Sequence, residues 1–189
     1  MKRKYLLVLL SLAIVVLMAT STISAVSAAT LDKEINGKGA IAQWSITGPG
    51  GAHVINAIVD MSNSGKEGKI YVSIVHPLKT GISVASGPAN FKWSMNHVTV
   101  EAALTFDGPA GRTGTHNIII SWQTDGSTSN KPLTADTGNG LEGEINGAWK
   151  SGVAELSIRD DSGHHIASDF ASSWAIVVHG TADISLTTP

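Results

Sequence analysis

Two sets of side chains in this sequence could do binding chemistry, and the first is an acidic segment. Asp136, Asn139, Glu142 and Glu144 place four oxygen-bearing side chains within nine residues. Carboxylate and amide oxygens are the ligands that Ca²⁺ prefers in proteins. The spacing does not match the Asp-x-Asp-x-Asp-Gly calcium loop, and acidic loops are usually only solvated. Calcium is therefore the one cofactor that the sequence suggests, and no cofactor is the simpler expectation.

The second set is the tryptophans, which outnumber the phenylalanines five to three. Trp44, Trp93 and Trp122 lie in register with apolar neighbours, which predicts that they pack in the core. Trp149 and Trp174 are surrounded by Gly, Ser and Ala, so they are the candidates for exposed platforms on which sugar rings stack. Core packing is nevertheless the preferred interpretation for these two as well.

Catalytic motifs are missing from the sequence. No two of the seven histidines form a His-x-His or His-x-x-x-His pair, so local spacing gives no support for a metal site. Gly-x-Ser-x-Gly, Ser-x-x-Lys and cysteine are all absent. Paired carboxylates that hydrolyse a glycosidic bond would be set by spacing in three dimensions, and the sequence nominates no pair.

The clearest structural pattern is a predicted β-hairpin over residues 97–123. Apolar side chains alternate with polar ones on both arms, at Val98, Val100, Ala102, Leu104 and Phe106 and then at Ile118, Ile120 and Trp122. This pattern places Leu104 opposite His116 and Val98 opposite Trp122, because a slip of one residue would mix the two faces. Residues 107–113 are predicted to form an exposed loop.

Short alternating segments recur along the rest of the chain. Residues 30–38 are interpreted as a lead-in, residues 125–140 as a long surface loop, and residues 143–149 and 153–159 as separate strands. Residues 164–174 fit a helix or a strand, and strand is preferred because the surroundings are strands. Glu-Ile-Asn-Gly occurs at 34–37 and at 144–147, but the flanking residues differ, so we interpret the recurrence as coincidence.

These strands predict an all-β fold, an antiparallel β-sandwich with a barrel as second choice. It is preceded by a predicted signal peptide at residues 1–29, with a basic start at Lys2, Arg3 and Lys4, an apolar run at 6–18 and small residues before Ala29. An uncleaved anchor is the alternative. Residues 30–189 are then one domain, which is secreted and has no membrane association after cleavage.

Charge and composition restrict the function. Without the signal peptide the chain has ten Lys and Arg against fifteen Asp and Glu, a formal charge of −5, so nucleic acid is not an expected partner. The expected function is a non-catalytic binding or structural module at or outside the cell surface. Its expected partner is an extracellular polysaccharide or a surface protein. The alternative is a secreted hydrolase that acts on polysaccharide.

Overall fold

A computed structural model describes residues 30–48, 51–61, 68–75, 82–106, 114–160, 162–163 and 165–187. The predicted signal peptide and the predicted loop 107–113 lie outside these ranges. The strands are β1 (Thr30–Gly48), β2 (Gly51–Met61), β3 (Gly68–Val75), β4 (Ile82–Pro88), β5 (Asn90–Trp93), β6 (His97–Thr105), β7 (Thr115–Thr124), β8 (Leu133–Asp136), β9 (Leu141–Asp160), β10 (His165–Ala171) and β11 (Trp174–Thr187). Within the described ranges no helix has the length and apolarity to cross a membrane.

The strands form one antiparallel sheet that is nearly closed into a barrel. Their order is β4-β3-β2-β1-β11-β9-β7-β6-β5, with β8 and β10 also paired to β9. Strand β9 joins the two halves, since its residues 141–151 pair with β11 and its residues 152–160 pair with β7. The predicted all-β antiparallel class is confirmed. The continuous sheet matches the barrel, the second of the two expected architectures, more closely than two stacked sheets.

The predicted hairpin is confirmed as β6 and β7. Val98 lies opposite Trp122 and Leu104 opposite His116, as the alternating pattern requires. The side chains at both pairs are buried, whereas Ile119 on the opposite face is 38% exposed. Burial of one face is what selects this register over a slip of one residue.

The barrel interior is filled mainly by Ile, Val and Ala side chains that alternate with outward-facing residues. Two tryptophans are completely buried there. The Trp44 indole N–H donates to the carbonyls of Ala154 (3.1 Å) and Phe170 (2.9 Å), and the Trp122 indole N–H donates to that of Ile41 (3.1 Å). Each indole therefore buries a large apolar area without leaving its N–H unsatisfied.

Three long strands share a row of glycines outside the barrel interior. Gly37 of β1 lies opposite Gly180 of β11, and Gly180 lies opposite Gly147 of β9. Gly37 and Gly147 have φ values of 118° and 121°, which side chains other than glycine rarely adopt. A Cβ at Gly39 would lie 2.7 Å from Ile35 Cγ2, so the strand folds back over itself at this row.

The two Glu-Ile-Asn-Gly segments occupy equivalent positions in this bend. Residues 34–37 of β1 oppose residues 180–183 of β11 from one side, and residues 144–147 of β9 oppose the same four residues from the other. The recurrence, which we interpreted as coincidence from the flanking residues, thus coincides with equivalent pairing in the sheet. Each segment supplies a buried isoleucine, Ile35 or Ile145, followed two residues later by a glycine with positive φ.

The bend creates a second apolar core on the outer face of the barrel. Ile35, Ile145, Ile184 and Leu186 of the bent segments pack with Ile41, Ile58, Ile176 and Val178 of the barrel wall. Lys33 Nζ lies 4.5 Å from the centroid of the Tyr71 ring, which also links the bent part of β1 to β3.

Several sequence-based boundaries are corrected. Residues 30–38 are the first half of β1 rather than a lead-in, because Leu31 and Ile35 belong to the second core. The predicted loop 125–140 contains β8, which covers the same core through Leu133 and Ala135. The two predicted strands at 143–159 are one strand, β9, and residues 165–171 form a strand as preferred.

Candidate functional site

The residues proposed as calcium ligands lie at the edge of the second core. Asp136 lies directly opposite Glu142, and both line a shallow groove of about 460 Å³ with Glu144. Asn139 does not line this groove, and its backbone carbonyl lies 3.5 Å from Gln43 Nε2. Among the described residues no three His, Asp or Glu side chains are arranged to hold a metal ion.

The two tryptophans proposed as sugar platforms are half-buried against the second core. The Trp149 indole N–H donates to the Lys131 carbonyl at 2.8 Å, and the Trp149 backbone exchanges two hydrogen bonds with Ser129. Trp174 starts β11 and lies opposite Gln43 of β1. Of the tryptophans predicted to be core, Trp44 and Trp122 are completely buried, whereas Trp93 is half-buried at one end of the barrel.

A broad concave surface formed by described residues lies where the barrel stops short of closing. Strand β4 pairs with β3, and strand β6 pairs with β5 and β7, so no ladder joins the described parts of β4 and β6. A Cβ at Gly87 would lie 3.0 Å from Leu104 Cδ2, so the two strands are in close contact here. We call the groove outside this contact, of about 1150 Å³, the seam groove.

The seam groove has two walls of mixed chemistry. Asp60, Lys69, Tyr71, Ser86 and Pro88 come from β2, β3 and β4 on one side, and Asn90, Glu101, Ala103, Asn117 and Ile119 come from β5, β6 and β7 on the other. The side chains of Asn90, Glu101 and Asn117 are exposed. The groove therefore offers amide, hydroxyl and charged groups beside small apolar surfaces, a combination suited to a ligand with hydroxyl groups and apolar faces.

Asp60 is the carboxylate that connects the seam groove to the glycine bend. The β1–β2 ladder ends where Lys38 meets Met61, and the Asn36 backbone N–H beyond that point hydrogen-bonds to the Asp60 carboxylate. Burial raises the pKa of Asp60 above its ordinary value. The Asn36 hydrogen bond and the charge of Lys69 lower this pKa, but they do not offset burial.

We expect Asp60→Asn to change the pH dependence of stability. A raised folded-state pKa means that the folded chain binds the proton more tightly, so the stabilising contribution is present at low pH and is lost as the pH rises through the raised pKa. Asparagine keeps an oxygen acceptor for the Asn36 N–H and has no charge. The variant should gain free energy of unfolding over the wild type at neutral pH, and the gain should shrink as the pH falls through the raised pKa and be close to zero below pH 3.8.

Urea unfolding of both proteins at about pH 7 and about pH 3 measures this difference. Asp125→Asn, which alters an exposed carboxylate outside the groove, is the matched control and should show no such pH-dependent difference. An Asp60→Asn gain of the same size at both pH values would contradict the role of carboxylate burial.

The sequence does not predict the groove, because its lining comes from five short segments spread between residues 60 and 119. One signal was present. Ile119 is a large apolar residue on the exposed face of the hairpin, and the structure places it opposite Glu101 on the groove wall.

Comparisons with known proteins do not assign this chain to a group. No protein-family model matches it, and neither the curated proteins nor the solved structures contain a significant match.

Proposed function

We propose that the chain is an exported, non-catalytic binding module that holds an extracellular polysaccharide in the seam groove. The observation that carries the proposal is the composition of this groove, in which exposed Asn90 and Asn117 lie near Tyr71 and the apolar Pro88 and Ile119. Sugar hydroxyls hydrogen-bond to amides, and the C–H faces of sugar rings pack on apolar and aromatic surfaces. The basic and apolar N-terminus supports export.

A neutral polysaccharide fits better than a charged one. The groove contains carboxylates of Asp60 and Glu101 together with the ammonium group of Lys69, so charges of both signs line it. The formal charge of −5 on residues 30–189 disfavours polyanions in general. Binding through neutral hydrogen bonds also predicts weak dependence on salt.

The proposal is tested by retention of the mature chain in gels that contain neutral cell-wall or plant polysaccharides. The variant Asn90→Ala/Asn117→Ala removes two exposed amides from opposite ends of one groove wall, so we expect affinity for the retained polymer to fall about tenfold. Asn130→Ala removes an exposed amide outside the groove and is the matched control. Equal retention of the double variant and the wild type would contradict the groove as the binding site.

A secreted polysaccharide hydrolase is the second candidate, and one observation favours it. Asp60, with its raised pKa, and Glu101 line the same groove, and glycoside hydrolysis uses one protonated and one ionised carboxyl group. This candidate predicts release of reducing ends from the bound polymer, with loss of that release in both Asp60→Asn and Glu101→Gln. The binding module predicts retention of the polymer without products.

A further inference from the structure

A second cluster of polar and aromatic side chains joins β1, β5 and β11. Lys38 of β1 and His179 of β11 are directly opposite each other, and both contact Trp93 of β5. Lys38 Nζ lies 5.1 Å from the centroid of the Trp93 ring, and the His179 ring meets the Trp93 ring edge-on with centroids 5.8 Å apart. We call Lys38 and His179, held by Trp93, the basic pair.

The basic pair lacks an anionic partner within the described part of the chain. No described carboxylate lies within the 4.0 Å ion-pair distance of Lys38 or His179. The Trp93 indole N–H is buried and has no hydrogen-bond acceptor among the described residues. A buried donor without an acceptor is unusual in a native structure and calls for an explanation. At the surface, the ammonium group of Lys38 and the ring N–H of His179 favour a ligand that carries negative charge.

An acidic row lies on the same three strands, four residues beyond the basic pair. Glu34 of β1 is opposite Asp183 of β11, and Asp183 is opposite Glu144 of β9. All three side chains are exposed, and no described cation forms an ion pair with any of them. Like charges directly opposite each other in a sheet are destabilising, so this row would gain from a cationic partner.

We propose that the basic pair of one copy binds the acidic row of a second copy of this chain. Directly opposed residues on neighbouring strands are about 5 Å apart in both places, so the two patches match in spacing as well as in charge. The row of Gly37 and Gly180 lies between the two patches on β1 and β11, so the bend separates them. Each copy therefore supplies one patch of each sign, without using the seam groove.

The two patches do not overlap, which allows two assemblies. A reciprocal contact gives a two-fold dimer, whereas a one-way contact gives chains of copies or rings. Both assemblies place exposed charges at the contact, so both should dissociate as salt screens the charges. Sedimentation velocity of the mature chain over a range of concentrations, at low and at high salt, distinguishes a dimer, a longer assembly and a monomer.

Charge exchange tests the contact directly. We expect Lys38→Glu/His179→Glu and Glu34→Lys/Asp183→Lys each to weaken association at least tenfold, because each variant places like charges against each other. An equimolar mixture of the two variants should associate again, since the acidic row of the first then meets the basic pair of the second. Lys92→Glu/Lys131→Glu, which reverses two exposed lysines outside both patches, is the control and should associate like the wild type.

Two results would overturn the proposal. One is a wild-type chain that stays monomeric at high concentration and low salt. The other is association that neither pair of substitutions weakens, or that the mixture does not restore. Circular dichroism of each variant establishes that it has folded, and the restored association of the mixture establishes it independently.

Discussion

Replacing Gly180 by alanine is expected to destabilise the fold by about 3 kcal/mol. A Cβ at this position would collide with the backbone carbonyl of Asn146 and lie 2.8 Å from the Gly147 Cα. These are backbone atoms of the neighbouring strand, so they cannot rotate away as a side chain could. The three strands would have to separate at the bend, which would open the second core.

Alanine substitutions at two other glycines separate the destabilising effect of a close backbone contact from that of backbone strain. Gly114→Ala is the control for strain alone, because its φ is 106° and nothing lies within 4 Å of its Cβ position. We expect a loss of about 1 kcal/mol there. Gly147→Ala combines a φ of 121° with a Cβ 2.7 Å from the Gly180 Cα, so its loss should be at least that of Gly180→Ala. Urea unfolding measures all three, and a Gly180→Ala loss no larger than that of Gly114→Ala would contradict the tight bend.

Trp122→Ala is expected to cost about 4 kcal/mol. The side chain is completely buried in the barrel interior, and its indole N–H satisfies the Ile41 carbonyl of β1 across the core at 3.1 Å. Alanine would leave a cavity and remove this hydrogen bond, and the rigid sheet could close over the cavity only in part.

Two further substitutions separate the contributions to this loss of stability. Trp122→Phe keeps most of the buried volume but removes the N–H, so it should cost less than Trp122→Ala. Trp149→Ala provides the comparison outside the barrel interior. It removes a half-buried indole that donates a hydrogen bond to the Lys131 carbonyl, and it should lower the free energy of unfolding by less than Trp122→Ala does. Chemical unfolding of the three variants gives the order, and a Trp149→Ala loss equal to that of Trp122→Ala would contradict the division between the two cores.

The sequence predicts correctly those features of the fold that depend on one local pattern. The β6–β7 hairpin has one apolar face, and its register follows from keeping Val98, Leu104, Ile118 and Trp122 together. Residues 30–38 show why other features were missed. Leu31 and Ile35 are apolar on one face, but Lys33 lies between them, and only the bend at Gly37 brings that face against the barrel wall.

The candidate site is formed by residues from distant parts of the chain, so local patterns in the sequence do not predict it. The sequence predicts an acidic segment, and Asp136, Glu142 and Glu144 line one groove. Asp183 lines the same groove, but it comes from β11 near the C-terminus. The seam groove needs β4 to pack beside β6 without pairing, which follows from barrel closure rather than from any motif. The equivalence of the two Glu-Ile-Asn-Gly segments appears only once both pair with β11.

Binding of a polysaccharide in the seam groove is tested most directly by an amide chemical-shift titration of isotopically labelled residues 30–189. The ligand is an oligosaccharide prepared from a polymer that retains the protein. We expect shift changes to concentrate at Asn90, Glu101, Ala103 and Asn117, the exposed wall of the groove. Changes concentrated around Trp149 and Trp174, or no changes with any oligosaccharide, would contradict it.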